Sequence, residues 1–127
     1  MMDSLCSQTR ILKGQIVNES FEPIENAIIR LTNSGKTIEA DDFGIFETNI
    51  DNQEKEIEVI CIGYKTEKIS IYKKCYITIV MINYNNQEFE NAKMESDYYK
   101  KSKRKVQQSY KKAIRTGLLR KDESCIL

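Results

Sequence analysis

The stretch Thr37-Ile-Glu-Ala-Asp-Asp-Phe-Gly-Ile-Phe-Glu47 decides the fold class of this chain of 127 residues. Its centre, Asp41 to Gly44, has the composition of a tight turn, because an Asp carboxylate can cap a turn and Gly can adopt the positive φ that closes it. The residues on either side are therefore predicted to form two β-strands joined as a hairpin, with Phe46 packed into the core.

Four other short motifs stand around this turn. The segments ILKGQIV (11 to 17) and PIENAII (23 to 29) precede it, and IGYK (62 to 65) and an alternating strand follow it. In this order the motifs resemble those of the carboxypeptidase regulatory-like domain family, a transthyretin-like β-sandwich, which run I-x-G-x-V, P-L-x-G-A-x-V, T-D-x-x-G-x-F and I-G-Y. The resemblance covers about residues 10 to 82 and assigns structural roles to Gly14, Pro23, Ala27, Asp41, Gly44, Phe46, Gly63 and Tyr64.

The resemblance implies a fold and an accessory role rather than an activity. Members of the family are non-catalytic modules attached to peptidases, outer-membrane receptors and other proteins, and a shared fold does not by itself specify function. Asn26 and Ala40 stand where the family has Gly and Thr. Both changes fall at turn or edge positions, and Asn tolerates left-handed backbone second only to Gly, so they affect local turns rather than topology.

Alternating apolar residues and intervening turn signals predict seven short strands, the number typical of a two-sheet sandwich. The predicted strands cover residues 11–17, 27–32, 36–40, 45–49, 56–61, 66–72 and 76–82. We therefore expect a mainly β protein: a seven-stranded transthyretin-like β-sandwich followed by a long C-terminal α-helix. The expected divisions are an N-terminal extension (1–9), the sandwich (10–83) and a basic helical C-terminal tail (84–127).

The C-terminal tail has the pattern of one long helix. Asn85 or Asn86 is the expected N-cap, and Gly117 is the expected stop. Between them an apolar stripe recurs at intervals of three and four residues; its members are Phe89, Ala92, Ser96, Tyr99, Lys103, Val106, Tyr110, Ala113 and Gly117. A helix of about thirty residues would be about 45 Å long, longer than a small sandwich, so we expect it to reach a partner. The alternative is a charged helix that folds back against the acidic sandwich.

Charge is segregated along the chain although the net charge is only +1. Residues 1 to 85 contain nine Lys and Arg against thirteen Asp and Glu, whereas residues 86 to 127 contain eleven against six. From Tyr98 to Lys121 the chain has ten basic residues and no acidic one. Such a helix requires a negatively charged partner or full solvation.

The predicted partner-binding residues lie on this helix: Tyr99, Lys100, Lys101, Lys103, Arg104, Lys105, Tyr110, Lys111, Lys112 and Arg115. Our leading interpretation is a non-enzymatic structural module anchored through the helix to protein partners in a larger assembly, such as a virion, a tail or a secretion apparatus. The first alternative is a non-specific nucleic-acid-binding protein, in which Lys and Arg contact phosphates and Tyr98, Tyr99 and Tyr110 stack on bases. The second is an exported accessory domain of a surface receptor or glycan-uptake system.

The sequence offers no catalytic centre. It has no histidine, so the commonest general base is missing, and no Ser or Cys stands in a known nucleophile motif. We expect no enzyme activity, no cofactor, no metal site and no small-molecule ligand. No window has the apolar length of a membrane span, and Met1 to Arg10 lacks the apolar core of a secretory signal, so a cytoplasmic or assembly-associated location is expected.

The four cysteines, at positions 6, 61, 75 and 125, show no CxxC spacing. Cys61 and Cys75 fall in or next to predicted strands and could be neighbours across the sheet. Buried free Cys behaves as a small apolar residue, so we expect these two to be buried free thiols. The ending Ser-Cys-Ile-Leu is one residue short of a prenylation motif.

Overall fold

The computed structural model describes residues 9–84 and 88–125. Within this part, eight strands and one helix follow one another along the chain. Their bounds are β1 (Thr9–Val17), β2 (Ile28–Leu31), β3 (Thr37–Glu39), β4 (Ile45–Asp51), β5 (Glu56–Ile60), β6 (Glu67–Ser70), β7 (Lys74–Val80), α1 (Ala92–Arg115) and β8 (Glu123–Ser124). The protein is therefore mainly β with one C-terminal helix.

The strands form two four-stranded sheets. The first sheet has the order β4-β1-β7-β8, and the second has the order β3-β2-β5-β6. The pair β1 and β7 is parallel, while the other neighbours are antiparallel. Buried apolar residues of both sheets join in one core cluster, so the sheets pack face to face.

Strand periodicity determines which residues enter the core. In β4, exposed and buried residues alternate strictly, and Phe46, Thr48 and Ile50 point inward. In β1, Leu12 and Ile16 are fully buried on the same side. Alternation of this kind leaves one face of each strand on the core and the other toward the outside.

Gly14 is required by close packing between neighbouring strands. It lies opposite Phe46 on β4 and Ile77 on β7. A Cβ atom at this position would lie 2.6 Å from two ring carbons of Phe46 and 2.8 Å from the carbonyl oxygen of Ile77. The large Phe46 ring is therefore accommodated because residue 14 has no side chain.

The Asp41 turn has the geometry expected from its sequence. The Asp41 carboxylate accepts hydrogen bonds from the backbone N–H groups of Phe43 and Ile45, both at 2.9 Å. Gly44 has φ +72°, which an L-residue adopts only with strain. Asn26 also lies in the left-handed region, at φ +62°. The predicted tight turn and the tolerance expected of Asn26 are confirmed. The predicted pairing of the two flanking strands as a hairpin is wrong, because β3 pairs with β2 in the second sheet and β4 pairs with β1 in the first, so the turn carries the chain from one sheet to the other.

All seven predicted strands are present, each within two residues of its expected ends. β8 is an eighth strand that the sequence pattern did not predict. A second feature without a local sequence signal is the burial of the Glu54 carboxylate, just before β5. Glu54 is only 3% exposed, because its carboxylate accepts hydrogen bonds from the backbone N–H groups of Asn33 and Ser34.

Candidate functional site

Helix α1 begins later than expected. Asn91 is its N-cap, and the Asn91 side chain accepts a hydrogen bond from the backbone N–H of Met94 at 2.9 Å. The expected caps, Asn85 and Asn86, lie outside the described residues, and the helix starts at Ala92. It ends at Arg115, with Gly117 at φ +83° just beyond, so the predicted stop is confirmed. Its 24 residues give a length of about 36 Å.

The C-terminal half of α1 packs on the ends of β1 and β7. Val17 and Val80 are register partners on these strands. Val17 forms a small apolar cluster with Ala113 and Leu119, and Val80 packs against this cluster. Val17, Ala113 and Leu119 are buried, and Tyr110 packs against them from the helix. The helix therefore folds back on its own sandwich.

The N-terminal half of α1 is held by a buried carboxylate. Glu67 on β6 is only 6% exposed and is the register partner of Val59, so it lies on the core side of the second sheet. The Tyr99 hydroxyl lies 3.0 Å from both Glu67 carboxylate oxygens and donates to this group. Lys103 Nζ lies 3.5 Å from Glu67 Oε1. Burial, and then the negative charge of Glu67, raise the pKa of Tyr99 well above its usual value.

An aromatic cluster leads the chain into α1. Tyr84, Phe89 and Tyr98 have ring centroids 5.3 to 5.5 Å apart in tilted or edge-to-face arrangements. The Tyr98 hydroxyl also donates to the Asn83 carbonyl at 3.1 Å. Burial raises the pKa of Tyr84. These contacts fix the start of the helix against the end of the sandwich.

The segment that follows α1 is fastened to β7. Asp122 accepts hydrogen bonds from the Thr78 backbone N–H and from Lys74 Nζ, both at 2.9 Å. Cys125 forms a disulfide with Cys75, and its backbone N–H donates to the Lys73 carbonyl at 2.7 Å. We call residues 118–125, with their partners on β7, the C-terminal clamp.

The disulfide corrects the expectation for Cys75. A free buried thiol near Cys61 was expected, but Cys75 is bonded to a residue 50 positions away and Cys61 is free. Local sequence could not reveal the pair, because it depends on the return of the chain after the helix. Cys6 lies outside the described residues.

The predicted partner-binding residues divide into two groups. Tyr99, Lys103 and Tyr110 turn toward the sandwich and serve to hold the helix. The other seven are exposed on the opposite side, and we call them the basic face: Lys100, Lys101, Arg104, Lys105, Lys111, Lys112 and Arg115. The placement of Tyr98, Tyr99 and Tyr110 does not support the interpretation that they stack on bases. Tyr98 packs against other aromatic rings, Tyr99 binds Glu67, and Tyr110 packs against the small apolar cluster.

No residue of the basic face forms an ion pair within residues 9–84 and 88–125. Every exposed position from 100 to 115 is Lys, Arg, Gln or Ser. Of the apolar residues in this stretch, Val106 and Ala113 are buried on the other side, and Ile114 is half-buried against the small apolar cluster. The result is a ridge of positive charge on a helix that is fastened at both ends.

Sequence reasoning missed the two contacts that orient this ridge, which are the Glu67 site and the C-terminal clamp. One signal was available for the first contact. Lys103 interrupts the apolar stripe, and a Lys on the packed side of a helix requires a carboxylate nearby, since buried charges are paired.

The sequence matches no protein-family model and no curated protein. Among the described helices, none is long and apolar enough to cross a membrane. The described residues also contain no group of three or more Cys, Asp or Glu side chains placed to hold a metal ion.

Proposed function

We propose that this protein is a non-enzymatic interaction module that attaches to a larger assembly through the basic face of α1. The observation that carries the proposal is a set of seven exposed basic side chains on one side of a firmly docked helix, without ion pairs in the described part of the chain. The partner surface is then negatively charged, because only complementary potential balances such a ridge.

We also propose that the sandwich belongs with the carboxypeptidase regulatory-like, transthyretin-like domains. Support comes from the structural roles of the motif residues. Gly14 leaves room for Phe46, and Asp41 caps the turn that Gly44 closes. Tyr64 packs against the main core after Gly63, which has φ +88°. In this proposal the sandwich is the rigid body and the helix is the attachment.

The disulfide favours one setting among those considered. Structural disulfides persist in exported proteins and on virion surfaces, whereas cytosolic thiols are kept reduced. The Cys75–Cys125 bond therefore supports an assembly-borne or exported protein over a cytoplasmic one. It is the one feature that favours the exported accessory role as a second candidate.

The test is affinity capture of the full chain from its source, with and without nuclease. We compare Arg104→Glu/Lys105→Glu with the control Lys36→Glu/Lys93→Glu, which makes the same charge change at exposed positions outside the basic face. The proposal predicts that partners bound by the wild type and by the control are lost from the Arg104/Lys105 variant. Partners that all three proteins retain equally would overturn it.

A further inference from the structure

The basic face contains a regular arrangement of charge. Three dibasic steps, Lys100-Lys101, Arg104-Lys105 and Lys111-Lys112, are separated by four and seven residues. Eleven residues make about three helical turns, so the three steps lie above one another on the same side of the helix. Each step places its two charges about 100° apart around the helix axis.

The steps therefore form two parallel rails of charge. One rail contains the first member of each step and the other contains the second, and Gln108 lies between them. On a cylinder of this diameter the rails are about 8 Å apart, and from Lys100 to Arg115 the ridge extends about 22 Å. Both rails are exposed along their whole length.

The chemistry of the ridge selects the class of partner. Protein interfaces concentrate aromatic and apolar residues at their centre and are depleted in Lys. Here the exposed positions from 100 to 115 are all polar, whereas Val106, Tyr110 and Ala113 face the sandwich. Repeated single charges with no apolar anchor fit a repeated anion, and the phosphates of a nucleic acid are such a repeat.

The form of nucleic acid follows from two features of the ridge. Single strands are bound mainly by stacking on exposed aromatic rings, but Tyr99 and Tyr110 are engaged with the sandwich. The B-DNA major groove is about 12 Å wide and admits a helix, so two rails about 8 Å apart fit between its two phosphate walls. The major groove of duplex RNA is too narrow for side chains to enter.

We infer that the basic face docks in the major groove of duplex DNA, with one rail on each phosphate wall and without sequence recognition. This inference rests on the proposed function and names its partner. The Glu67 site and the C-terminal clamp hold the helix in place beforehand, so binding requires no folding of the helix.

The first test measures binding of the full chain to a 20-base-pair duplex DNA by fluorescence anisotropy across a salt series. A duplex RNA and a single-stranded DNA of the same length are compared. We expect the duplex DNA to bind at least tenfold more tightly than either. With the six rail residues on phosphates, the slope of log affinity against log salt would be about −5. Equal affinity for the three nucleic acids would overturn the inference.

The second test separates the rails. Lys100→Gln/Lys111→Gln removes two of the three charges of one rail, and Lys101→Gln/Lys112→Gln removes two of the three charges of the other. If both rails contact phosphates, each variant should flatten the salt slope by about 2. A helix lying along a single strand outside the groove would instead respond to one pair only, which would overturn the groove geometry. Circular dichroism checks that both variants keep the helix.

These results are distinguishable from those for the proposed function. If the chain fails to bind duplex DNA, but nuclease-resistant partners are lost from the Arg104→Glu/Lys105→Glu variant, the basic face binds protein. The DNA inference then fails and the interaction module stands. If partners are retained and DNA is not bound, both proposals fail.

Discussion

At the scale of single residues, Glu67 determines how α1 is oriented. A carboxylate that is 6% exposed requires donors, and within the part of the chain that the structure describes, Tyr99 and Lys103 provide them from successive turns of the helix. Both donors were expected to bind a partner. Their use inside the protein explains why the residues that flank them, Lys100, Lys101 and Arg104, are turned outward.

The Tyr99 contact predicts a dependence of stability on alkaline pH. The pKa of Tyr99 is raised in the folded protein, so the unfolded chain loses this proton first, near pH 10. The Tyr99 hydroxyl therefore contributes fully to the free energy of unfolding below about pH 10. This contribution is lost as the pH rises toward the pKa of Tyr99 in the folded protein. In Tyr99→Phe we expect a shallower decline of the unfolding free energy between pH 9 and 11 than in the wild type.

Urea unfolding at several pH values measures this difference. At pH 7 the same variant should be less stable by about 1–3 kcal/mol, because Glu67 loses one of its donors while it stays buried. Tyr72→Phe is the control, since Tyr72 is 61% exposed. Parallel pH profiles for Tyr99→Phe and the wild type would contradict the assignment.

At the scale of elements, the sequence predicts the strands and the helix whose residue pattern lies within the element itself. The seven predicted strands carry their own alternation and turn residues, such as Asp41 and Gly44, and all were found within two residues of their ends. The packed side of α1 was visible as a three-four stripe, because Tyr99, Val106 and Ala113 repeat with the helical period.

Elements determined by distant contacts could not be predicted in this way. β8 has only two residues, both exposed, and neither alternation nor composition marks it as a strand. It forms because Asp122 and Cys125 meet partners on β7 that are more than forty residues earlier. The sequence alone also could not predict that the basic face points outward, because this depends on where the opposite side of α1 packs.

The C-terminal clamp predicts a large effect of removing its disulfide. Closing a loop of about 50 residues lowers the entropy of the unfolded chain, and loss of a native disulfide in a small domain costs about 2–5 kcal/mol. We expect Cys125→Ser to lower the free energy of unfolding by this amount, measured by urea denaturation without reductant. Cys61→Ser is the control, because Cys61 is free and partly buried.

The effect of a reductant provides an independent check. Wild-type protein in dithiothreitol should unfold at the urea concentration found for Cys125→Ser, and the variant itself should not respond to the reductant. Equal stability of oxidised wild type and Cys125→Ser would show that the bond does not support the fold.

At the scale of the whole molecule, the distribution of charge favours binding to a partner and lowers the stability of the fold. The acidic sandwich could have neutralised the basic helix, yet it pairs with α1 through Lys103 alone among the described ion pairs. The basic face is left with like charges three and four residues apart, including Lys100 with Arg104 and Lys101 with Lys105. Each such pair destabilises a helix by about 0.2–0.5 kcal/mol.

A protein that keeps repulsive charges on its surface should become more stable when they are reversed. Three repulsive pairs, Lys100–Arg104, Lys101–Arg104 and Lys101–Lys105, become attractive in Arg104→Glu/Lys105→Glu. We therefore expect a gain of about 1–3 kcal/mol in unfolding free energy at 20 mM salt. The gain should shrink at 0.5 M salt because screening weakens both repulsion and attraction. Chemical denaturation in urea, which adds no ions, measures both values, with Lys36→Glu/Lys93→Glu as the control of equal charge. If the variant gains stability while it loses its partner, Arg104 and Lys105 are maintained for binding rather than for folding. If the variant loses stability at low salt, Arg104 and Lys105 support the fold.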